Sequence, residues 1–226
     1  QGITSRSAKR RFEFESQTLA RLKHQGVAQI HEAGTPDDGS GGVPYFVMEY
    51  IPNAKSITDY ANGKQLGIRE RLTLFTKVCD AVQHGHLKGI IHRDLKPANV
   101  FRENDVVKIG DIGLSKFISQ SRRSAQTESV GTVYYMAPEV AHGRYGREVD
   151  VYSSAVVLYE LLTGRLPFDG ETTGEILMKH LTEKPDLSPL PQQFRPVLAR
   201  ALEKDPLKRT RTVAQLEDEF NQAVLG

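Results

Sequence analysis

The chain has 226 residues, of which 38% are hydrophobic and 26% are charged, fractions that exclude a disordered or fibrous protein. Thirty Lys and Arg against 28 Asp and Glu give a formal charge of +2, which is too small to indicate nucleic acid as the main partner. The longest apolar run, from Ala155 to Leu162, is too short to cross a bilayer. The single cysteine, Cys79, cannot form an internal disulfide, so we expect a reducing compartment.

The first fifth of the chain predicts one helix and one strand. Apolar residues recur at helical spacing between Ser7 and Lys23, which predicts a helix with three residues on one side: Phe12, Leu19 and Leu22. The segment from Thr35 to Pro44 is rich in Gly and Asp, which is typical of a turn. The aromatic and apolar run from Tyr45 to Ile51 predicts a buried strand.

The remainder predicts a mainly helical body. Helical periodicity runs from Ile68 to His86, and a short strand follows at Val106 to Ile109. The segment from Ile112 to Val133 has no such period, and long loops of this kind are usually functional. Val149 to Leu162 is apolar on nearly all sides, which indicates a buried helix, and Thr212 begins a final helix with Gln215 completing a capping box. The fold class that follows is α+β, with few strands before many helices.

Three motifs carry the chemistry. Residues 92–99 read HRDLKPAN, residues 111–113 read DIG, and residues 137–139 read APE. Transfer of a phosphoryl group requires a carboxylate to accept the proton of the attacking hydroxyl, oxygen ligands for Mg²⁺, and a cation near the developing charge. Asp94 is suited to act as the base and Lys96 as the cation, while Asn99 and Asp111 offer hard oxygen ligands for Mg²⁺.

The order of these motifs resembles the protein kinase family over essentially the whole chain. The resemblance implies a two-lobed kinase domain over residues 1–226, with a small-lobe remnant and hinge in 1–51 and the large lobe in 52–226. Lys96 is typical of kinases that act on Ser and Thr, whereas tyrosine kinases usually have Ala-Ala-Arg or Arg-Ala-Ala in this place. The amino-acid sequence of the flanking segments is most similar to that of bacterial eukaryotic-like kinases. The implied activity is transfer of the ATP γ-phosphate to protein Ser and Thr hydroxyls with Mg²⁺.

The same resemblance assigns further residues to the nucleotide site. Glu15 matches the helix glutamate that pairs with a lysine of the small lobe. The backbone of Glu49 and Ile51 is expected to meet adenine, and Phe101 to form the apolar floor beneath it. ATP binding is therefore assigned to these four residues together with Asn99 and Asp111.

Other residues are expected to be structural or regulatory. Phosphorylation is expected in the long loop, because Arg93 could receive a phosphate there. Thr127 and Ser129 are the favoured sites, because they lie close before Gly131 and Thr132. Thr132 matches the residue that contacts the catalytic loop. The remaining structural assignments are a buried ion pair and the start of the buried helix: Glu139 with Arg209, and Asp150.

Some family features differ here or are missing from the sequence. Ile112 stands where Phe is common, and Tyr152 stands where Trp is common. Only 14 residues precede Glu15, too few for the Gly-rich loop and the strand lysine that precede this helix in the family. We therefore expect an N-terminally truncated domain whose own activity is impaired.

Two other classes of function remain to be weighed. A pseudokinase acting as a scaffold is disfavoured by the intact Asp94, Lys96, Asn99 and Asp111. A small-molecule kinase of the aminoglycoside phosphotransferase type is disfavoured by Lys96 and by the APE segment. The expected partners are ATP and protein substrates, with no nucleic acid and no membrane segment within these residues, and the expected location is cytoplasmic.

Overall fold

The computed structural model describes residues 6–36, 44–103, 106–114 and 130–226. We number the helices and strands of these segments in chain order: α1 (Arg6–Arg21), β1 (Ile30–Gly34), β2 (Tyr45–Met48), β3 (Lys55–Ser56), α2 (Ile57–Gly63), α3 (Ile68–Leu87), β4 (Val100–Glu103), β5 (Val106–Ile109), α4 (Val130–Val133), α5 (Glu148–Thr163), α6 (Thr173–Thr182), α7 (Arg195–Ala201) and α8 (Val213–Leu225). Short 3-10 turns occupy Pro97–Asn99, Pro138–His142 and Gln192–Phe194.

The N-terminal part consists of α1 packed on a two-stranded antiparallel sheet. The expected helix is present, and Phe12, Leu19 and Leu22 are all buried. Strands β1 and β2 pair from Ile30 opposite Met48 to Gly34 opposite Tyr45. The Phe12 and Phe46 rings meet edge to face with centroids 5.5 Å apart, which seats α1 on β2.

The expectation of a buried strand at Tyr45 to Ile51 was wrong. Strand β2 ends at Met48, and Tyr45, Val47 and Met48 are 39%, 45% and 41% exposed. Within the described residues β2 pairs only with β1, and its Phe46 packs against Phe12 of α1. An apolar run shows that a strand prefers burial, but the number of elements packed against it decides how much is buried.

A second sheet has the strand order β3-β4-β5 and lies at the centre of the candidate site. Strand β4 pairs antiparallel with β5, with Val100 opposite Ile109. This register places the residue before β4, Asn99, beside the residue after β5, Gly110, and the Gly110 N–H donates to the Asn99 carbonyl at 2.8 Å. Two motifs that are distant in sequence therefore meet at one end of this hairpin.

The chain that follows α1 joins the N-terminal part to this hairpin. The Ala28 N–H donates to the Ile109 carbonyl at 2.9 Å, and the Ile109 N–H donates to the Gly26 carbonyl at 2.8 Å. Val27 and Ile109 form the corresponding parallel bridge. Backbone hydrogen bonds of this kind give the two parts a fixed register beside the site.

The main core surrounds α5, as its sequence predicted. Every residue of this helix from Val149 to Tyr159 is buried, and Gly164 ends it with φ 69°. Helices α3 and α8 pack together, with the Phe75 and Phe220 rings 5.5 Å apart. Thr212 caps α8 by accepting from the Gln215 N–H at 3.0 Å. Among the helices described here, none has both the length and the apolarity needed to cross a membrane.

Candidate active site

A single buried carboxylate holds the start of residues 92–99, the expected catalytic loop. Asp150, in the first turn of α5, accepts from the backbone N–H of His92 at 2.8 Å and of Arg93 at 2.9 Å. His86 Nε2 lies 2.7 Å from the same carboxylate. Arg93 adopts φ 71°, a left-handed conformation that a non-glycine residue holds only when its surroundings enforce it. The two backbone hydrogen bonds to Asp150 supply that enforcement.

The His92 side chain fixes the loop from inside. It is fully buried, its Nε2 donates to the Gly110 carbonyl at 2.8 Å, and its Nδ1 accepts from the Asp94 N–H at 3.2 Å. These partners match the neutral imidazole with the proton on Nε2. His92 therefore connects the loop that carries Asp94 to the strand end that carries Asp111.

Asp94, Lys96 and Thr132 come together in space. Lys96 Nζ lies 3.6 Å from Asp94 Oδ2 and donates to Thr132 Oγ1 at 2.7 Å. The ammonium is thus held between the carboxylate and the hydroxyl of a residue 36 positions further along the chain. The arrangement leaves Asp94 partly exposed beside a fixed cation, where an incoming hydroxyl could reach it.

Asn99 is oriented by the backbone of Asp94. Its Nδ2 donates to the Asp94 carbonyl at 2.7 Å and lies 3.5 Å from Asp94 Oδ2. Because the amide nitrogen is occupied in this way, the amide oxygen is the atom left to bind a cation. Within the described residues no group of three or more His, Cys, Asp or Glu side chains could hold a metal ion by itself. The donor set of Asn99 and Asp111 fits Mg²⁺ that keeps waters and phosphate oxygens as its other ligands.

The DIG motif forms a tight turn after β5. Asp111 and Gly113 have φ 56° and 73°, and the Leu114 N–H donates to the Asp111 carbonyl at 3.2 Å. Asp111 is exposed, whereas Ile112 is buried with its Cδ1 close to Gly85 of α3. A Cβ at Gly113 would lie 2.8 Å from Leu19 Cδ2, so α1 approaches this glycine directly. The turn thus presents the Asp111 carboxylate while the next two residues pack inward.

The segment after β2 presents backbone groups and one charged side chain. The Glu49 N–H donates to the Gln29 carbonyl at 2.7 Å, and no backbone hydrogen bond among the described residues uses the Glu49 carbonyl or the Ile51 N–H. Those are the groups expected to meet adenine. Lys108 bonds to the Glu49 carboxylate and, with the Gln29 N–H, holds the pKa of Glu49 below its usual value. Phe101 is half-buried on β4, with its ring over Gly110.

Glu15 and Arg93 both line a cleft of about 270 Å³ between α1 and the loop that precedes residue 92. The other wall includes Lys88, Ile90 and Gly113. Glu15 is half-buried there, on the side of α1 that faces the DIG turn. The structure therefore brings this predicted glutamate to the edge of the site.

The structure pairs Glu139 with Arg209 as expected. Arg209 Nη1 and Nη2 donate to the two carboxylate oxygens at 2.6 and 2.9 Å, and both side chains are buried. The guanidinium also donates to the carbonyls of Glu148 and Glu203, each at 2.9 Å. All of these contacts tie the APE segment to α5 and to the chain before α8.

Sequence reasoning missed two interactions at the site. The Arg93 guanidinium lies 4.6 Å from the centre of the Tyr145 ring, and Lys108 pairs with Glu49. The partners are separated by 52 and 59 residues, so no local spacing could reveal them. Thr127 and Ser129, the proposed phosphorylation sites, lie outside the described residues.

Comparison with known proteins agrees with this geometry. The family model described as "Protein kinase domain" matches residues 3–220. The serine/threonine-protein kinase PrkC of Bacillus subtilis is 34% identical over 223 residues, which cover 95% of this chain and 34% of that protein. PknB of Mycobacterium leprae is 33% identical, covering 91% of this chain and 34% of its own length. The chain spans about a third of the length of these curated relatives.

Solved structures show the same fold. The kinase domain of Mycobacterium tuberculosis PknI superposes with a TM-score of 0.73 at 26% identity, covering 99% of this chain and 81% of that chain. Rad53 in complex with AMP-PNP gives a TM-score of 0.73 at 27% identity, covering 92% of this chain and 53% of that chain. The architecture is therefore the α+β fold of protein kinases. On the strength of the family match and of these identities, the chain belongs to the protein kinase family.

Proposed function

We propose that the full-length protein transfers the γ-phosphate of ATP to Ser and Thr hydroxyls of proteins. The observation that carries the proposal is the position of Lys96, whose ammonium lies 3.6 Å from Asp94 and 2.7 Å from the Thr132 hydroxyl. The curated relatives named above are serine/threonine-protein kinases, which supports the same acceptor class. We place the activity in the cytoplasm, where ATP is available, and treat residues 1–226 as one catalytic domain.

Asp94 accepts the proton of the acceptor hydroxyl while the hydroxyl oxygen attacks the γ-phosphorus. The bond between the γ-phosphorus and the ADP oxygen breaks. Lys96 lies where negative charge grows on the transferred group and lowers the cost of that charge. The loop contacts of Asp150 and His92 keep both side chains in place, so little reorganisation is required during the reaction.

Asn99 and Asp111 would hold Mg²⁺, which would offset the negative charge of the phosphates. The Glu49 carbonyl and the Ile51 N–H would receive the adenine edge, with Phe101 beneath the ring. A structural neighbour, Rad53, was solved with AMP-PNP, a nucleotide of the same shape as ATP. The nucleotide would then lie across the hairpin end, with its phosphates directed toward Asp94.

The acceptor class is tested with three peptides that are identical except for Ser, Thr or Tyr at the acceptor position. The full-length protein, MgATP and each peptide are incubated, and phosphate incorporation is followed by mass spectrometry. We expect transfer to the Ser and Thr peptides and at least about tenfold slower transfer to the Tyr peptide. A preference for Tyr, or transfer only to a small-molecule hydroxyl such as an aminoglycoside, would contradict the proposal.

A further inference from the structure

A buried histidine lies on the far side of the segment that carries Thr132. His180 of α6 is 1% exposed, and its Nδ1 lies 2.7 Å from the Tyr152 hydroxyl of α5. The Phe168 ring packs on the imidazole with centroids 4.8 Å apart. Both partners of this hydrogen bond are therefore inside the core, where a polar contact is sensitive to any change of shape.

The protonation states assign the direction of the hydrogen bond. Burial, aided by the nearby Lys204 charge, lowers the pKa of His180 to about 4, so the ring is neutral at physiological pH. Burial raises the pKa of Tyr152, so the phenol keeps its proton and donates it to Nδ1. The remaining ring proton is then on Nε2.

The neutral ring faces the backbone that follows Thr132. The backbone of Tyr134 and of Val133 lies beside the imidazole and raises the pKa of His180, which offsets part of the lowering by burial. Within the described residues, His180 Nε2 has no hydrogen-bond partner. Helix α6 packs against α4, which ends at Val133, and Val133 is fully buried. The ring therefore lies beside residues 133 and 134, on the helix that packs against α4.

The opposite side of the same short segment holds the catalytic lysine. Thr132 accepts from Lys96 Nζ at 2.7 Å, and the next anchor is Ser153, which donates to the Tyr135 carbonyl at 2.6 Å. Four consecutive residues, 132–135, therefore lie between Lys96 on one side and the helices α5 and α6 on the other. A displacement of this segment would move the hydroxyl that orients Lys96.

We propose that Tyr152 and His180 form a positioning pair that fixes residues 132–134 and, through the Thr132 hydroxyl, the Lys96 ammonium beside Asp94. This inference rests on the proposed function, since it assigns a role in the same transfer. Tyr152 stands where tryptophan is common in protein kinases, and its hydroxyl is the donor in this pair. Neither residue touches the reacting atoms, so their contribution is orientation and not chemistry.

The first test removes one oxygen atom. Tyr152→Phe keeps the ring that lies 5.0 Å from the Arg209 guanidinium and removes only the hydroxyl. We expect kcat for phosphotransfer to fall by about fivefold, the effect of one hydrogen bond of about 1 kcal/mol, with KM for MgATP unchanged. The matched control is Tyr159→Phe, which removes a hydroxyl of the same helix that donates to the Asp186 carbonyl at 2.6 Å. An equal fall in kcat for both variants would overturn the proposal.

A double-mutant cycle separates positioning from general stability. In a Thr132→Val background the hydroxyl that Lys96 uses is gone, so Tyr152→Phe should reduce the residual kcat no further. If the two reductions multiply, the pair does not act through Thr132. His180→Asn keeps an acceptor near the Nδ1 position and should lose less activity than His180→Leu. Equal losses for these two variants would also count against the pair.

A second readout does not depend on catalysis. The Tyr135 and Met136 N–H groups donate to the carbonyls of Thr132 and Val133 at 3.2 and 3.3 Å. Their hydrogen exchange should accelerate in Tyr152→Phe and stay as in wild type in Tyr159→Phe. If wild-type protein transfers no phosphate, the proposed function fails. Hydrogen exchange would still test whether Tyr152 and His180 fix residues 132–134. Unchanged exchange in Tyr152→Phe would contradict the anchoring directly.

Discussion

Asp150 illustrates how one side chain sets the geometry of residues 57 and 58 positions away. Its carboxylate accepts two backbone N–H groups of the catalytic loop and lies 2.7 Å from His86 Nε2, while being fully buried itself. A buried carboxylate is stable only when such partners satisfy it. The loop that carries Asp94 is therefore held by the core of the large helical part and not by its own local preferences.

At the residue scale, the pair of Glu139 and Arg209 provides a prediction about stability. Arg209→Ala removes both hydrogen bonds to the carboxylate and leaves Glu139 buried without its cation. Breaking a buried pair in this way typically costs about 3–5 kcal/mol. We therefore expect a clearly lower Tm in thermal unfolding followed by circular dichroism.

The control for that substitution is Arg200→Ala. Arg200 also pairs with a glutamate, Glu219, at 3.1 Å, but its side chain is 54% exposed. Exposed pairs contribute about 0–1 kcal/mol, so the Tm of this variant should remain close to that of wild type. Equal Tm values for the two variants would show that the Glu139 pair contributes no more than a surface pair.

The residues of the candidate site could be selected from the sequence because they lie within short motifs. Asp94, Lys96 and Asn99 lie within six consecutive positions, and the β4–β5 hairpin places this stretch beside the segment that carries Asp111. Tyr145 and His180 could not be predicted, because their partners Arg93 and Tyr152 are 52 and 28 residues away. A ring contact or a single hydrogen bond across such a distance leaves no periodic pattern in the sequence.

At the scale of elements, the packing of α3 against α8 makes one carboxyl group unusual. Burial, with the nearby carboxylates of Asp80 and Asp218, raises the pKa of Glu217 on α8 to about 7. A carboxyl whose folded-state pKa is raised stabilises the fold when protonated, and this contribution is lost as the pH rises through about 7. The charged form at higher pH therefore works against the contact between the two helices.

Glu217→Gln should relieve this cost. The neutral amide keeps the shape of the protonated carboxyl, so we expect a higher Tm than wild type at pH 8.5, with the difference shrinking as the pH falls toward 5. Thermal unfolding of the variant and of wild type at several pH values measures the Tm difference and its dependence on pH. A Tm difference that is independent of pH would mean that the carboxyl titrates normally and that the substitution acts by another route.

Periodicity predicted the helices α1, α3 and α5 because each presents or buries apolar residues at regular intervals over many turns. It failed for the exposure of β2, where Tyr45, Val47 and Met48 remain partly in solvent. A strand of four residues carries too little pattern to distinguish one packed face from two. Element type is local information, whereas burial depends on which other elements lie against it.

At the scale of the whole molecule, the site is assembled from distant parts of the chain. Residues 26–28 pair with Ile109, the hairpin places Asn99 beside Gly110, and α5 supplies Asp150 and Ser153. Physical patterns in the sequence do not predict this convergence. The order of the three motifs predicted it, because that order is similar to a family whose fold brings them together.

The most direct measurement is phosphotransfer by the full-length protein carrying Asp94→Asn, compared with wild type at saturating MgATP. Asparagine keeps the size of the side chain but cannot accept the proton of the acceptor hydroxyl, so the account predicts a fall in kcat of about a hundredfold or more, with nucleotide affinity changed only slightly. Nucleotide affinity is measured in parallel by calorimetry. Undiminished turnover of a Ser or Thr substrate by this variant would contradict the assignment of Asp94 as the catalytic base.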